Sequence, residues 1–272
     1  MRIGICAPST PLSEEQAAKV WSLAEVHYPD AELIFHPQCF YESGHYAGTD
    51  AQRLDAFVQM ANDPTLEALW FAKGGYGACR IAEQAIAALE APALTKTYLG
   101  YSDAGYLLGA LYRAGVRQVA HGPMPTDISR YGGADTVGRA LDWLVRREAS
   151  ALEPGLEPGT KHAAFNLITL AMMTNTPLMP DLTGHVLIVE EVAEYLYSVD
   201  RLFFHLTTVL KDAGLAGIRL GLVNAVPEND RPFGSSAEDI ARDWCARSGI
   251  AYLGRAEVGH AADNRVVPFG EL

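Results

Sequence analysis

The chain has 272 residues, of which 49% are hydrophobic and 20% are charged, and its formal net charge at pH 7 is −12. This acidic balance argues against a nucleic-acid partner, because contacts to a phosphate backbone need a basic face. No apolar run approaches the roughly 18 residues of a membrane-spanning helix, so we expect no membrane segment and a cytoplasmic location. The four cysteines lack C-x-x-C spacing, so we expect free thiols and neither a metal site nor a disulfide framework.

The first half of the chain alternates short apolar runs with amphipathic stretches. Strands are predicted where apolar runs are bounded by turn residues, at 2–7, 31–35, 68–72, 97–101 and 118–121. Helices are predicted between them, starting after a cap at Ser13, at 50–62, near Ala78, after Ser102 and at 133–147. This alternation predicts an α/β fold with a mostly parallel sheet flanked by helices and joined by right-handed crossovers.

A stretch with two Pro-Gly pairs and no periodicity interrupts this pattern near the middle of the chain. We interpret 151–160 as a linker between an N-terminal α/β domain at 1–150 and a second, smaller α/β domain with a mixed sheet at 161–272. In the second domain, strands are predicted at 186–189, 218–223 and 251–253, helices at 202–213 and 237–248, and a loop with a short strand at 259–270.

The segment TYLGYSDAG at 97–105 combines a short strand, a tight turn with one serine and the start of a helix. Such a turn lifts the hydroxyl of Ser102 out of the sheet near a helix N-terminus, where free backbone N–H groups stabilise anions. It therefore predicts a nucleophile elbow, although Ala104 stands at the second glycine position of G-x-S-x-G and Gly105 follows it. The alternative is a serine that only caps its helix.

A second turn, KGGYG at 73–77, follows the predicted strand at 68–72. Ligands of parallel sheets bind beyond the carboxyl ends of the strands, and glycines let backbone N–H groups approach them closely. An amide of this turn and the N–H of Asp103 could form an oxyanion hole. The alternative is a tight connection between strand and helix. Arg80 replaces the third glycine of the dinucleotide fingerprint, so a nucleotide is the weaker interpretation.

A serine nucleophile needs a base and a group that orients the base. Of the eight histidines, His260 lies in a polar loop that can present its ring to a cleft, whereas His121 ends a strand and favours a packing role. Glu190 ends an apolar strand, Glu191 would point to the opposite face, and Glu194 is a third candidate. Each of these acids has the alternative of a surface position near a helix N-terminus.

Taken together, these motifs resemble the LD-carboxypeptidases, a serine peptidase family that also contains the microcin C immunity proteins. The matching segments occur in family order along almost the whole chain: 3–9 (IGICAPS), 72–80 (AKGGYGACR), 100–103 (GYSD), 121–123 (HGP), Asn166, 186–194 with Tyr197, Asp200 and Arg201, and 259–270.

The resemblance implies a triad in which Ser102 is the nucleophile, Glu190 the orienting carboxylate and His260 the general base. It places the serine on the first domain and the other two residues on the second, and it implies a homodimer. The implied oxyanion hole comes from Gly75 and Asp103. Further substrate contacts are expected at Gly74, Tyr76, Arg80 and Asn166. For Arg80 the alternative is a structural ion pair at a helix start.

The function implied by the resemblance is cleavage of the amide bond between the L-centre of a diamino acid and a terminal D-alanine, in cytosolic peptidoglycan tetrapeptides. We expect a small peptide as partner and no cofactor. One alternative is a hydrolase of aminoacyl-adenylate-like antibiotics, which an aromatic platform for adenine would favour. Another is a non-catalytic ligand-binding α/β protein that has lost turnover.

Overall fold

The computed structural model describes all of residues 1–272. Its strands are β1 (Arg2–Cys6), β2 (Glu32–Phe35), β3 (Ala68–Phe71), β4 (Thr97–Gly100), β5 (Gln118–His121), β6 (Lys161–Asn166), β7 (His185–Val192), β8 (Gly217–Asn224), β9 (Tyr252–Arg255), β10 (Val267–Pro268) and β11 (Gly270–Glu271). Its helices are α1 (Glu14–His27), α2 (Asp50–Asn62), α3 (Ala82–Ala87), α4 (Gly105–Arg113), α5 (Gly133–Leu141), α6 (Leu167–Met173), α7 (Leu196–Leu210) and α8 (Ala237–Ser248). None of these helices is long and apolar enough to cross a membrane.

The first sheet has the strand order β10-β5-β4-β3-β1-β2. All of its pairs are parallel except β10 with β5. Strand β3 is buried along its whole length, as expected where helices cover both faces of a sheet. Since β3, β4 and β5 are parallel neighbours, the turns that follow them open at the same edge of the sheet.

The second sheet has the order β11-β6-β7-β8-β9 and is parallel from β6 to β9. Strand β11 joins it antiparallel to β6. The expected fold, α/β with a mostly parallel sheet and a second mixed sheet, is confirmed.

The C-terminal segment connects the two sheets. Within a few residues, β10 pairs with β5 in the first sheet and β11 pairs with β6 in the second. The segment predicted as a linker also packs closely, because the buried carboxylate of Glu153 accepts two hydrogen bonds from Arg219, at 2.6 and 2.8 Å. The C-terminal segment therefore joins the two sheets, and residues 151–160 are anchored to the second sheet through Arg219 of β8.

Helices α4 and α6 pack against each other between the sheets. A Cβ atom on Gly109 would lie 2.7 Å from Sδ of Met173, and one on Gly105 would lie 3.1 Å from Cγ2 of Thr169. These two glycines of α4 permit the close approach of α6. One buried apolar cluster consequently runs from the first sheet into the second.

Several predicted helix starts are confirmed by their caps. Ser13 and Gln16 form a reciprocal capping box at α1, and helices α2 and α8 span 50–62 and 237–248 as predicted. Strand β6 and helix α6 were not predicted from the sequence. Strand β6 contains two alanines and a single large apolar residue, and α6 has only seven residues, too few to show a 3.6-residue period.

Candidate active site

Ser102 occupies a strained turn directly after β4. Its φ angle is +60°, in the left-handed region that residues other than glycine rarely adopt. A single turn of 3-10 helix at 102–104 then leads into α4. Strain of this kind persists where the surrounding structure imposes it. A strained serine in the turn between a strand and a helix is typical of a nucleophile elbow.

The glycine turn after β3 lies against this serine. A Cβ atom on Gly74 would lie 2.9 Å from Oγ of Ser102 and 3.4 Å from the backbone nitrogen of Asp103. Gly75 has a φ of +102°, and a Cβ there would lie 2.5 Å from Cγ2 of Thr10. Thr10 holds the turn in place, because its hydroxyl donates to the Gly74 carbonyl at 2.6 Å. The turn is thus fixed with its glycine backbone facing the serine hydroxyl.

The side chain of Asp103 points away from the cleft. Its carboxylate accepts hydrogen bonds from the Ser9 hydroxyl and from the Ala78 backbone N–H, the latter at 2.8 Å. Burial raises the pKa of Asp103, while these hydrogen bonds act in the opposite direction. This carboxylate therefore ties the elbow to the neighbouring turns, and only the backbone N–H of Asp103 faces the Gly74 position.

Glu190 and His260 form a buried pair at the corresponding edge of the second sheet. Oε2 of Glu190 lies 2.8 Å from Nδ1 of His260. Because a carboxylate accepts, Nδ1 carries the hydrogen and Nε2 is left as the free basic nitrogen. Gly221 and Gly259 make room for the pair, since Cβ atoms there would lie 2.9 and 3.5 Å from Cβ of Glu190. The arrangement is that of a histidine base and its orienting carboxylate.

The ring of Tyr101 brings these two parts of the site together. Tyr101 directly precedes Ser102, and its ring centroid lies 4.7 Å from that of His260. No hydrogen bond joins Oγ of Ser102 to the His260 ring in this structure. In unliganded enzymes this contact is often long and tightens when substrate binds. Glu190 and His260 are therefore in contact, and the residue before Ser102 packs on His260, with the serine and the histidine on different sheets.

Two further titratable groups lie close to the pair. His121, at the end of β5, is fully buried, and this burial lowers its pKa to about 4, so its ring is neutral at pH 7. Glu191 points to the other face of β7 and accepts hydrogen bonds from Asn166, Val192 and Ile168. Burial nevertheless raises the pKa of Glu191 to about 7. Neither group contacts Ser102 through a hydrogen bond.

Three residues expected to contact substrate have different surroundings. Arg80 forms an ion pair with Asp50, with nitrogen–oxygen distances of 2.7 to 3.0 Å. This is the structural ion pair that was the alternative to a substrate contact. Asn166 caps α6 through its oxygen and donates to Glu191 through its nitrogen, so it is buried and its amide is occupied. Tyr76 is 47% exposed beside the glycine turn and is free to contact a ligand.

Comparisons with known proteins identify the family of this chain. A family model described as the LD-carboxypeptidase N-terminal domain matches residues 3–122, and one described as the LD-carboxypeptidase C-terminal domain matches residues 163–272. The chain belongs to the LD-carboxypeptidase family. The resemblance noted from the motifs is thereby confirmed, and the protein is a peptidase of this family.

Relatives within the LD-carboxypeptidase family carry names that refer to murein. The chain is 25% identical to the murein tetrapeptide carboxypeptidase of Pseudomonas aeruginosa, over 99% of this chain and 91% of the relative. It is 29% identical to the probable murein peptide carboxypeptidase of Bacillus subtilis, over 84% of this chain and 75% of the relative.

Solved structures show the same fold. Muramoyltetrapeptide carboxypeptidase from Oxalobacter formigenes superposes with a TM-score of 0.82 at 23% identity, over 99% of this chain and 93% of that one. The microcin C7 self-immunity protein MccF in complex with aspartyl sulfamoyl adenosine superposes with a TM-score of 0.79 at 17% identity, over 99% and 91%.

No role was predicted for Tyr101 and Arg130, which contact His260 from the first half of the chain, or for Asp127, which joins the two. Tyr101 lies inside the quoted GYSD segment, which was the available signal. Asp127 and Arg130 lie in a turn at 125–130 that carries no motif. The contact of Arg130 with His260 joins the two halves of the chain, and local spacing does not predict it.

Proposed function

We propose that this protein is a serine carboxypeptidase that cleaves the amide bond between an L-centred diamino acid and a terminal D-alanine in peptidoglycan tetrapeptides, within cytosolic murein recycling. The observation that carries the proposal is the buried Glu190–His260 pair lying against the residue that precedes the strained Ser102. The names of the murein carboxypeptidase relatives support the choice of substrate.

In the proposed reaction His260 acts first as the base. Glu190 holds the hydrogen on Nδ1, so Nε2 takes the proton from the Ser102 hydroxyl as its oxygen attacks the substrate carbonyl. The negative charge that develops on the carbonyl oxygen is stabilised by the backbone N–H groups of Asp103 and Gly75. These amides flank Gly74, whose missing side chain leaves space beside the serine oxygen.

The second half of the reaction returns the enzyme to its starting state. His260, now protonated, donates its proton to the nitrogen of the departing D-alanine, which leaves the tripeptide esterified to Ser102. Water then attacks this ester with His260 as the base, and the acid product is released. Every proton transfer in this scheme passes through Nε2 of His260.

The experiment that tests the proposal is D-alanine release from a tetrapeptide ending in a diamino acid and D-alanine. We expect the wild-type protein to release D-alanine from this substrate and to release no L-alanine from a matched tetrapeptide ending in L-alanine. Ser102→Ala, purified in parallel, is the matched control. A folded wild-type protein that releases no D-alanine would exclude this substrate and leave the aminoacyl-nucleotide and non-catalytic alternatives.

A second candidate function is hydrolysis of aminoacyl-nucleotide compounds. It is favoured by Tyr195 and Tyr197, which follow β7, stack at a centroid distance of 5.1 Å and line a cavity of about 460 Å³ with residues 229–233. Aromatic rings of this kind can stack on a nucleobase. Adding an aminoacyl sulfamoyl adenosine to the assay decides between the two. Its hydrolysis without D-alanine release supports this candidate, and D-alanine release without its hydrolysis supports the first.

A further inference from the structure

The candidate site is divided between two sheets, so its activity depends on how the two are held relative to each other. Ser102 follows β4 of the first sheet. Glu190 lies in β7 of the second sheet, and His260 lies in the loop after β9. A small shift of one sheet against the other would separate the serine oxygen from the histidine nitrogen.

Arg130 makes a contact that joins the first sheet directly to the backbone of His260. Its Nη1 donates to the His260 carbonyl at 2.7 Å. The same carbonyl accepts from the side-chain amide of Asn224, at the end of β8, at 3.0 Å. The histidine backbone is therefore fixed once from its own sheet and once from the opposite one.

Arg130 is itself fixed to the residue beside the nucleophile. Its Nε lies 2.8 Å from Oδ1 of Asp127, and the Tyr101 hydroxyl donates to the same oxygen at 2.8 Å. Oδ2 of Asp127 accepts from the Met124 backbone N–H at 2.8 Å. Asp127 and Tyr101 are each only 1% exposed, whereas the Arg130 side chain is 37% exposed. Water therefore competes little for the Tyr101–Asp127 hydrogen bond, and the charge of Arg130 strengthens its bond to the buried carboxylate.

These contacts form a closed circuit around the histidine. One side is the packing of the Tyr101 ring on the His260 ring, at 4.7 Å between centroids. The other side runs from the Tyr101 hydroxyl through Asp127 and Arg130 to the His260 carbonyl. Because Tyr101 is covalently joined to Ser102, the circuit relates both the ring and the backbone of His260 to the nucleophile.

We propose that Tyr101, Asp127 and Arg130 form a positioning unit that sets His260 of the second sheet against Ser102 of the first. None of the three is a catalytic residue, since the unit acts through His260. The inference rests on the proposed function for its kinetic test, because the reaction measured there is D-alanine release.

Arg139 supplies a matched control. It also extends from the first half of the chain to the histidine loop, where it donates to the carbonyls of Asn264 at 2.6 Å and Ala262 at 3.0 Å. It makes no hydrogen bond to Tyr101, Asp127 or His260. Removing Arg139 therefore tests anchoring of the loop in general, whereas removing Arg130 tests the position of His260.

The kinetic test compares Arg130→Ala with Arg139→Ala on the tetrapeptide. We expect Arg130→Ala to lower kcat about a hundredfold, the effect of a displacement of about 1 Å, with KM changed less than threefold. Added guanidinium ion should restore part of the lost kcat in Arg130→Ala and none in Arg139→Ala. Equal kcat losses in the two variants, or a loss in Arg130→Ala that guanidinium does not reverse, would overturn the proposal.

A second measurement does not depend on the substrate. The Nδ1 proton of His260, held by Glu190, gives a low-field proton resonance in NMR spectra, assigned by its loss in His260→Gln. We expect this resonance to shift or broaden in Arg130→Ala and to remain as in the wild type in Arg139→Ala. An unchanged resonance in Arg130→Ala would overturn the positioning unit even if the substrate assignment failed.

Discussion

The serine side of the site and the histidine side are built in different ways. Ser102 and Gly74 follow β4 and β3, which are adjacent parallel strands, so their turns meet at one sheet edge through local geometry. Glu190 and His260 are 70 residues apart in the chain and meet through a buried hydrogen bond. The first arrangement follows from the alternation of strands and helices, and the second depends on tertiary packing.

This difference indicates where substitutions should act. On the serine side the important features are backbone features, namely a left-handed serine, a glycine turn and two amides. On the histidine side they are side chains in fixed contact, namely Glu190, His260 and the Tyr101–Asp127–Arg130 unit. Apart from removal of the Ser102 hydroxyl itself, substitutions on the serine side should act through the shape of the cleft, and those on the histidine side should act through proton transfer.

The largest effect is expected at the nucleophile. Ser102→Ala should lower kcat at least about a thousandfold, because only the binding and oxyanion contacts would remain. D-alanine release measures this, and an unchanged circular dichroism spectrum serves as the control for folding. Retained release in a folded Ser102→Ala protein would exclude the serine side as the source of the nucleophile.

A loss of about a hundredfold to ten-thousandfold is expected for Glu190→Gln. The amide can place an NH₂ group against Nδ1 and favour the wrong tautomer of His260, while the shape of the side chain is retained. We expect kcat to fall and KM to change little. If Glu190→Gln keeps more than a third of wild-type kcat, Glu190 does not orient the base.

Glu191 provides the comparison with Glu190 on the same strand. Its pKa is about 7 in the folded protein and near 4.5 in the unfolded chain, so between these values the folded state holds a proton that the unfolded state lacks. Stability contributed by the neutral form is therefore present below pH 4.5 and is lost as pH rises through 7. The free energy of unfolding falls over this pH range by an amount of the order of 3 kcal/mol.

Glu191→Gln should remove this fall in the free energy of unfolding with rising pH. The free energy of unfolding of the variant, relative to the wild type, should increase as pH rises from 4.5 to 7 and then level off. His121 titrates in the same range but is present in both proteins, so its effect cancels in the difference. Urea unfolding at several pH values measures the difference, and a difference that is independent of pH would contradict the raised pKa of Glu191.

A tenfold to hundredfold loss of kcat is expected for Gly74→Ala. The added methyl group would lie 2.9 Å from the serine oxygen and must displace it or block the amide of Asp103. Gly138→Ala is the control, because its Cβ would meet only the Tyr28 hydroxyl, at 3.6 Å. Wild-type kcat in Gly74→Ala would mean that the glycine turn does not border the reacting atoms.

The smallest effect is expected for Arg80→Ala. Arg80 is engaged by Asp50 at the surface, so KM and kcat should each change less than about threefold, as is usual for exposed ion pairs. A KM raised tenfold or more with kcat unchanged would instead assign Arg80 to the substrate carboxylate.

Much of the serine side could be predicted from the sequence, because each feature is local. The apolar run of β3, the glycine turn and the GYSD turn are contiguous segments, and their meeting follows from parallel pairing. The Glu190–His260 contact was predicted only through the family resemblance, since the residue pattern left three carboxylates open. Arg130 was missed because its contact with His260 joins residues 130 positions apart, and Asp127 because its turn carries no motif. Asn166 was expected at the substrate, whereas its amide is used to cap α6 and hold Glu191.

The most direct test of Ser102 as the nucleophile is whether it becomes acylated during turnover. An ester analogue of the tetrapeptide, with D-lactate in place of D-alanine, can be mixed with enzyme, quenched in acid and analysed by mass spectrometry. If Ser102 is the nucleophile, a tripeptidyl group appears on the peptide that contains Ser102 in the wild type and is absent in Ser102→Ala. Release of D-lactate at equal rates by both proteins, or an acyl group on any other residue, would contradict this role of Ser102.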